Sequence, residues 1–146
     1  MSATRDILDA VELAALHHGD QRYGRHPYVV HPLAVAGQVA ERGGSRAQVL
    51  AAILHDTVKD TDLTVRQIQS MFGPEVAVIV SSLTHDLGVP YDRYVDELHP
   101  DAVLVKLCDS ICNLVDLPAA EMTVHRRRRL TARYEANVAK LTERLR

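Results

Sequence analysis

Apolar residues recur at helical spacing from Thr4 to His18, where Ile7, Leu8, Val11, Leu13, Ala14 and Ala15 mark a stripe that stops near Gly19. The next stretch, DQRYGRHPYVVHP, holds Gly24 and two prolines, which predicts a loop with Val29 and Val30 as an apolar plug. Pro32 suits the first turn of a second helix, PLAVAGQVAER, which Gly43 and Gly44 stop. Ser45 caps a third helix, RAQVLAAILHDTVKD, whose Val49, Ile53 and Leu54 mark a buried face. Thr64 with Gln67 forms a capping box for a short helix ending at Phe72, and Gly73 and Pro74 separate it from PEVAVIVSSLTHD. Beyond Pro90 and Pro100, DAVLVKLCDSICNLVD is apolar on most sides, which predicts a central helix. MTVHRRRRLTARYEANVAKLTERLR then predicts a long amphipathic closing helix. The β-branched runs at Val76 to Val80 and Val103 to Val105 sit inside helix-length patterns, so no segment reads as a strand. The expectation is an all-α fold, a compact bundle of about seven helices, as a single domain over residues 1–146.

Composition narrows the class. A chain of 146 residues buries roughly 70% of its unfolded surface around one core. With 47% hydrophobic and 25% charged residues, it is neither a disordered nor a membrane chain. A net charge of -2 gives no global attraction to nucleic acid, and the basic run Arg126 to Arg129 sprays around more than one helix face. That run reads first as a solvated or packed surface and second as a contact for an anionic partner. No stretch approaches the ~20 apolar residues of a membrane span, and charges interrupt the apolar pattern of the N-terminus, which argues against a signal peptide and for a cytoplasmic protein. Cys108 and Cys112 stand four apart in an apolar run. Two buried, reduced thiols are expected, with a zinc pair as the lesser reading because no second cysteine pair completes it.

Candidate chemistry centres on LHDTVKD, Leu54 to Asp60. Neighbouring helical residues point about 100° apart, so His55 and Asp56 reach one ion only if it lies over the edge between them, with partners from elsewhere. His31 stands just ahead of a helix, and Asp109 sits in an apolar helix where an unpaired carboxylate is costly to bury. Two imidazoles and two carboxylates suit Mn²⁺ or Fe²⁺ better than Ca²⁺, with Zn²⁺ also compatible. Each has an ordinary structural reading: His31 as a loop histidine, His55 and Asp56 as a helix-end ion pair, Asp109 as a partner of Lys106 or Arg22.

The segments HGDQRYGRHPYVVHP, AAILHDTVKDTDLT, FGPEVAVIV, SLTHD and KLCDSICNL, in that order, resemble the hydrolase domain of the RelA/SpoT homologues. That is a branch of the HD phosphohydrolase superfamily whose stand-alone members are small alarmone hydrolases. The resemblance implies an all-helical HD-domain fold and one ion, usually Mn²⁺, held by His31, His55, Asp56 and Asp109. The family reaction removes pyrophosphate from the 3′ position of (p)ppGpp by a metal-bound water, and some animal members are reported to take the 2′-phosphate from NADPH. Arg22 would pack against the base and Asn113 would contact the nucleotide near the ribose. Tyr23 and Lys106 join them as substrate-side candidates.

The chain also departs from that family. The usual His-Asp-x-x-Glu-Asp becomes Lys59-Asp60 at its end. A protonated lysine accepts no proton, so the base role falls on Asp60 or on metal hydroxide, while Lys59 is placed to contact the leaving phosphate or simply to pair with Asp60 or Asp62. Tyr23 and His85 stand where lysine is common, and Ser110, Cys112 and Asp116 replace an arginine, a histidine and a threonine. Fewer cations argue for a smaller or less charged substrate. Three readings follow: a (p)ppGpp hydrolase, the same chemistry on another nucleotide or NADPH, and a nucleotide-binding regulator impaired by Lys59. The closing helix, with Leu130, Val138, Leu141 and Leu145, suits a homo-oligomer interface as well as its own core.

Overall fold

The computed structural model describes residues 2–146. Its elements run α1 (Ala3–His18), β1 (Arg22–Tyr23), β2 (His26–Pro27), α2 (Val30–Glu41), α3 (Arg46–Leu54), α4 (Thr57–Asp60), α5 (Val65–Phe72), α6 (Pro74–Leu83), α7 (Tyr91–Asp96), α8 (Pro100–Asp116), a 3-10 turn (Leu117–Ala119) and α9 (Val124–Arg144). The all-α expectation holds. The core is built where α2, α3, α6 and α8 pack on one another, around fully buried Val35, Val39, Leu50, Ile53, Leu54, Val76, Val80 and Val105. Each such side chain contributes about 1.5–3 kcal/mol of burial.

Caps fix the helix starts as the sequence indicated. Ser45 and Thr64 each close a capping box, with Gln48 and Gln67 reaching back to the cap N–H. Arg46 Nε donates to Asp6 Oδ2 at 3.0 Å, which ties α1 to the start of α3.

Four expectations are corrected. The third helix is not continuous to Asp60: it ends at Leu54 and resumes at Thr57, with Asp56 at φ -99°, ψ -2°. Thr57 Oγ1 donates to the Leu54 carbonyl and His55 Nδ1 to the Ala52 carbonyl, so side chains take acceptors from the end of α3. The segment between Pro90 and Pro100 folds its first part into α7. These two additions raise the count of α-helices among the described residues to nine. The loop after α1 contains a two-residue antiparallel pairing, Arg22 with Pro27 and Tyr23 with His26, turned by Gly24 at φ +60°. Finally, α2 starts at Val30 rather than Pro32; Val29 packs on the core but Val30 is exposed.

Cys108 and Cys112 are free and buried. On α9, Leu141 and Val138 pack into the chain's own core and Leu130 is half-buried, while Leu145, just past the end of the helix, is exposed. Among the described residues no helix is long and apolar enough to cross a membrane.

Candidate metal centre and adjoining cavity

The break between α3 and α4 turns His55 and Asp56 toward one point, and α2 and α8 bring His31 and Asp109 to it. The ligand atoms of His31, His55 and Asp56 lie within 4.8 Å of one another. Asp109 Oδ1 is 2.9 Å from His31 Nε2 and 3.4 Å from His55 Nε2, and Asp56 Oδ2 is 3.1 Å from His55 Nε2. His31, His55 and Asp109 are buried.

The hydrogen bond from His55 Nδ1 to the Ala52 carbonyl, 2.6 Å, leaves Nε2 as the nitrogen that faces the cluster, a lone-pair donor once a cation displaces its proton. That Nε2 is buried and makes no hydrogen bond, and so is His31 Nδ1. A buried imidazole nitrogen that lies 3.1 and 3.4 Å from two carboxylates without hydrogen-bonding geometry to either fits a divalent cation held by two nitrogens and two oxygens.

The electrostatics agree. Burial opposes ionisation of Asp109, but the Lys106 ammonium, followed by His31 and His55, holds its carboxyl well below the usual carboxylate range. Burial likewise opposes ionisation of Asp56, which His55 overrides, again keeping the carboxyl low. Burial alone would lower His55; Asp56 and then Asp109 raise it well above the ordinary imidazole value. Without a cation, the two carboxylates therefore hold a proton on His55 in its place.

Surrounding side chains orient these groups. Tyr28 donates its hydroxyl to Asp56 Oδ2; burial and then the Asp56 charge push that hydroxyl far above its ordinary range, so it stays a donor. Gln21 Nε2 donates to Asp60 Oδ2 at 3.1 Å, and its Oε1 lies 2.9 Å from His18 Nδ1. Neither Tyr28 nor Gln21 was picked out from sequence. The signal for Gln21 was its place beside Arg22; a phenol bonded to a carboxylate from another element leaves no trace in spacing.

Lys59 Nζ stands 3.9 Å from Asp56 Oδ1 and 3.8 Å from Asp60 Oδ1, with its side chain 56% exposed. Lys106 is different: its Nζ lies 3.0 Å from Asp109 Oδ2, and 5.7 Å over the Tyr94 ring, with the side chain 14% exposed. Of the expected substrate-side residues, Tyr23 and Asn113 line a cavity of about 710 Å³ beside the cluster; Arg22 is exposed, and neither it nor Lys106 is among the lining residues. Tyr23 stacks on His31 at 4.5 Å between ring centres and donates to Asn113 Oδ1 at 2.9 Å, while Asn113 Nδ2 donates to Asp109 Oδ1 at 3.2 Å. The cavity extends over Leu117, Met122, Leu130 and Tyr134, with Arg25 and Asp116 at its charged positions. Arg25, Met122 and Tyr134 were not singled out from sequence.

Comparison with known proteins accords with this geometry. A family model described as the HD domain matches residues 10–88. The chain is 40% identical over 128 residues to guanosine-3′,5′-bis(diphosphate) 3′-pyrophosphohydrolase MESH1 of Danio rerio, covering 80% of this chain and 71% of that protein. It is 33% identical over 143 residues to a probable guanosine-3′,5′-bis(diphosphate) 3′-pyrophosphohydrolase of Synechocystis sp., covering 89% of this chain but 19% of that longer protein. Among solved structures, one described as a metazoan ortholog of SpoT that hydrolyses ppGpp superimposes with a TM-score of 0.78 at 27% identity, over 97% of this chain and 85% of that one.

Proposed function

The chain belongs to the HD-domain family, and from that premise we propose that it is a divalent-metal phosphohydrolase acting on a phosphorylated nucleotide. Mn²⁺ is the ion proposed, with Fe²⁺ or Zn²⁺ compatible with the same donors, and the guanosine 3′,5′-bis(diphosphate) named for its relatives is the first substrate to test. The observation that carries the reading is the convergence of buried His55 Nε2, which makes no hydrogen bond, with His31, Asp56 and Asp109, beside an apolar cavity large enough for a nucleoside.

His31, His55, Asp56 and Asp109 would hold the ion. A divalent cation bound there would polarise a phosphoryl oxygen and draw the pKa of water down toward neutrality. Asp60, whose Oδ2 is fixed by Gln21, leaves Oδ1 as the proton acceptor for the attacking water. Lys59, at the exposed rim, offers its ammonium to the departing phosphate once a substrate draws it from Asp56 and Asp60. Tyr28 keeps Asp56 oriented, and Asn113 links the cavity wall to Asp109.

A second reading, the same chemistry on a less charged nucleotide, is favoured by the lining of the cavity, where one arginine is offset by one aspartate. Both are tested by phosphate and pyrophosphate release from ppGpp, pppGpp, NADPH and nucleoside phosphates, with Asp56→Ala and Asp109→Ala as blanks. Pyrophosphate from ppGpp that vanishes in both blanks supports the first reading, and release from another nucleotide alone supports the second. Silence on every compound by a metal-loaded protein that still binds nucleotide would leave a regulator, and Lys59→Glu would then be expected to restore turnover.

A further inference from the structure

Asp60 is held by a chain of side chains that begins on another helix. Helix α1 ends at His18, and Gly19, at φ +52°, turns the backbone away. The loop beyond it closes on backbone bonds: Gln21 N–H donates to the His18 carbonyl at 3.0 Å, and Tyr28 N–H to the Gln21 carbonyl at 2.9 Å. The Gln21 amide is therefore not needed to hold the loop. It reaches α4 instead, where its Nε2 donates to Asp60 Oδ2 at 3.1 Å. A carboxylate only accepts, so the amide oxygen faces the other way, toward His18 Nδ1 at 2.9 Å, and Nδ1 carries the proton of that bond. His18 is 5% exposed, and its Nε2 is buried with no hydrogen-bond partner among the described residues, so the ring spends its donor on Gln21. Every donor in the chain points from α1 toward Asp60, and bonds aligned in this way reinforce one another. The ring has a second contact, 4.5 Å from the ring of Tyr28, whose hydroxyl donates to Asp56. That contact depends on the shape of the ring and not on the Nδ1 proton.

We propose that His18 is a positioning residue: by donating to Gln21 it fixes the amide that holds Asp60 Oδ2, and so keeps Oδ1 as the oxygen presented to the attacking water. This role rests on the reading of Asp60 as proton acceptor given above, and deepens it by naming what selects the oxygen. Without the Nδ1–H, nothing keeps the Gln21 amide in its present sense. A flipped amide sets its oxygen against the carboxylate, and Asp60 turns away from it. Lys59 Nζ, 3.8 Å from Asp60 Oδ1 on a side chain that is 56% exposed, does not hold the carboxylate in its stead.

Steady-state kinetics of the Mn²⁺-loaded protein test it, on ppGpp or on the nucleotide of the panel above that it turns over. His18→Phe keeps a ring against Tyr28 and deletes the donor; kcat should fall about fivefold to tenfold, the scale of one hydrogen bond, with KM and bound metal unchanged. His18→Asn sets an amide N–H where Nδ1–H stood and should return kcat to within about twofold of wild type. In a Gln21→Leu background, itself slowed by the same factor, His18→Phe should cost less than about twofold more, whereas a residue that only supports the fold would cost the full factor again. Equal loss in both backgrounds, no rescue by asparagine, or a fall in bound metal in place of kcat would overturn the inference. Should a variant fail to fold, nitrogen NMR of the metal-free wild type at about pH 8, above the ordinary imidazole range, decides: the His18 proton belongs on Nδ1, and a proton on Nε2 overturns the chain. Asp60→Asn keeps the two levels apart. If it abolishes turnover while His18→Phe does nothing, the positioning role alone falls; if it leaves turnover intact, or wild type turns over none of the panel, the proton-acceptor reading falls and the positioning role with it.

Discussion

Replacing Lys106 by methionine separates the charge balance of the metal centre from its shape. In the folded protein Lys106 Nζ is 3.0 Å from Asp109 Oδ2, with the two side chains 14% and 7% exposed. Removing one partner of a buried pair costs about 3–5 kcal/mol. Asp109 keeps His31 at 2.9 Å and Asn113 at 3.2 Å, which places Lys106→Met at the lower end, about 3 kcal/mol for the metal-free protein. A divalent cation beside Asp109 supplies the missing positive charge, so the metal-loaded variant should lose only about 1 kcal/mol. The difference of about 2 kcal/mol must reappear as tighter metal binding by the variant, about 30-fold. The sign with pH is fixed. Asp109 is depressed, so its contribution is present above about pH 3.9 and lost as pH falls through its folded value. Lys106 is raised, so its contribution is present below about pH 10.4 and lost as pH rises through its folded value. Both act in full at pH 7. Urea denaturation of wild type and variant, each with chelator and with Mn²⁺, reads the two losses directly. Equal loss in both states, or weaker metal binding by the variant, would refute the reasoning.

Three further outcomes are expected. His55 is raised, which stabilises the metal-free fold below about pH 6.5 and is lost as pH rises through the folded value, so metal must displace that proton. Calorimetry at pH 7 in two buffers of different ionisation enthalpy should show about one proton released per ion, and none released would remove His55 Nε2 from the ligand set. Tyr28→Phe deletes the hydroxyl that Asp56 accepts from and keeps the ring against His18; the loss should be about 1 kcal/mol in stability with weaker metal binding, and unchanged metal affinity would count against the orienting role. In Gly44→Ala the new Cβ would press on Val39 Cγ1 and come within 2.9 Å of its carbonyl oxygen, so a melt should show about 1–3 kcal/mol of destabilisation, and an unshifted transition would show that α2 yields there.

The long helices and their caps were legible because α1, α6 and α8 bury stripes at helical spacing and Ser45 and Thr64 have a glutamine three residues on. The four expected ligands converge for a reason spacing alone expresses poorly. His55 and Asp56 were read as neighbours on one helix, whereas bonds from Thr57 and His55 to preceding carbonyls end α3 between them and α4. Periodicity registers apolar faces and not which carbonyl a hydroxyl prefers. The hairpin at Arg22–Tyr23 and His26–Pro27 is too short to show an alternating pattern, and α7 is six residues between prolines. Lys106 illustrates a different limit. Its place three residues before Asp109 allows a salt bridge, and a lysine next to a site also invites a substrate role; the burial of both side chains, which spacing does not report, shows its ammonium paired with Asp109.

The closing helix divides the site into regions of unequal local stability. The buried residues of α9 are Asn137 and Leu141, both in its second half, while Leu130 and Tyr134, which face the cavity, are half-buried. His31, His55 and Asp109 sit on α2, at the end of α3 and on α8, among the fully buried side chains. Backbone amides under the cluster should therefore exchange with solvent only through global unfolding, and those of the cavity wall through fraying of far lower free energy. A ligand that holds this wall in place bears its ordering cost, and its apparent affinity scales with the fraction of time the wall is already folded. Residues that need not touch the ligand then tune binding: Thr123, whose hydroxyl caps α9, and Arg127, which donates to the Ala120 carbonyl at 2.7 Å, set that fraction from outside the cavity.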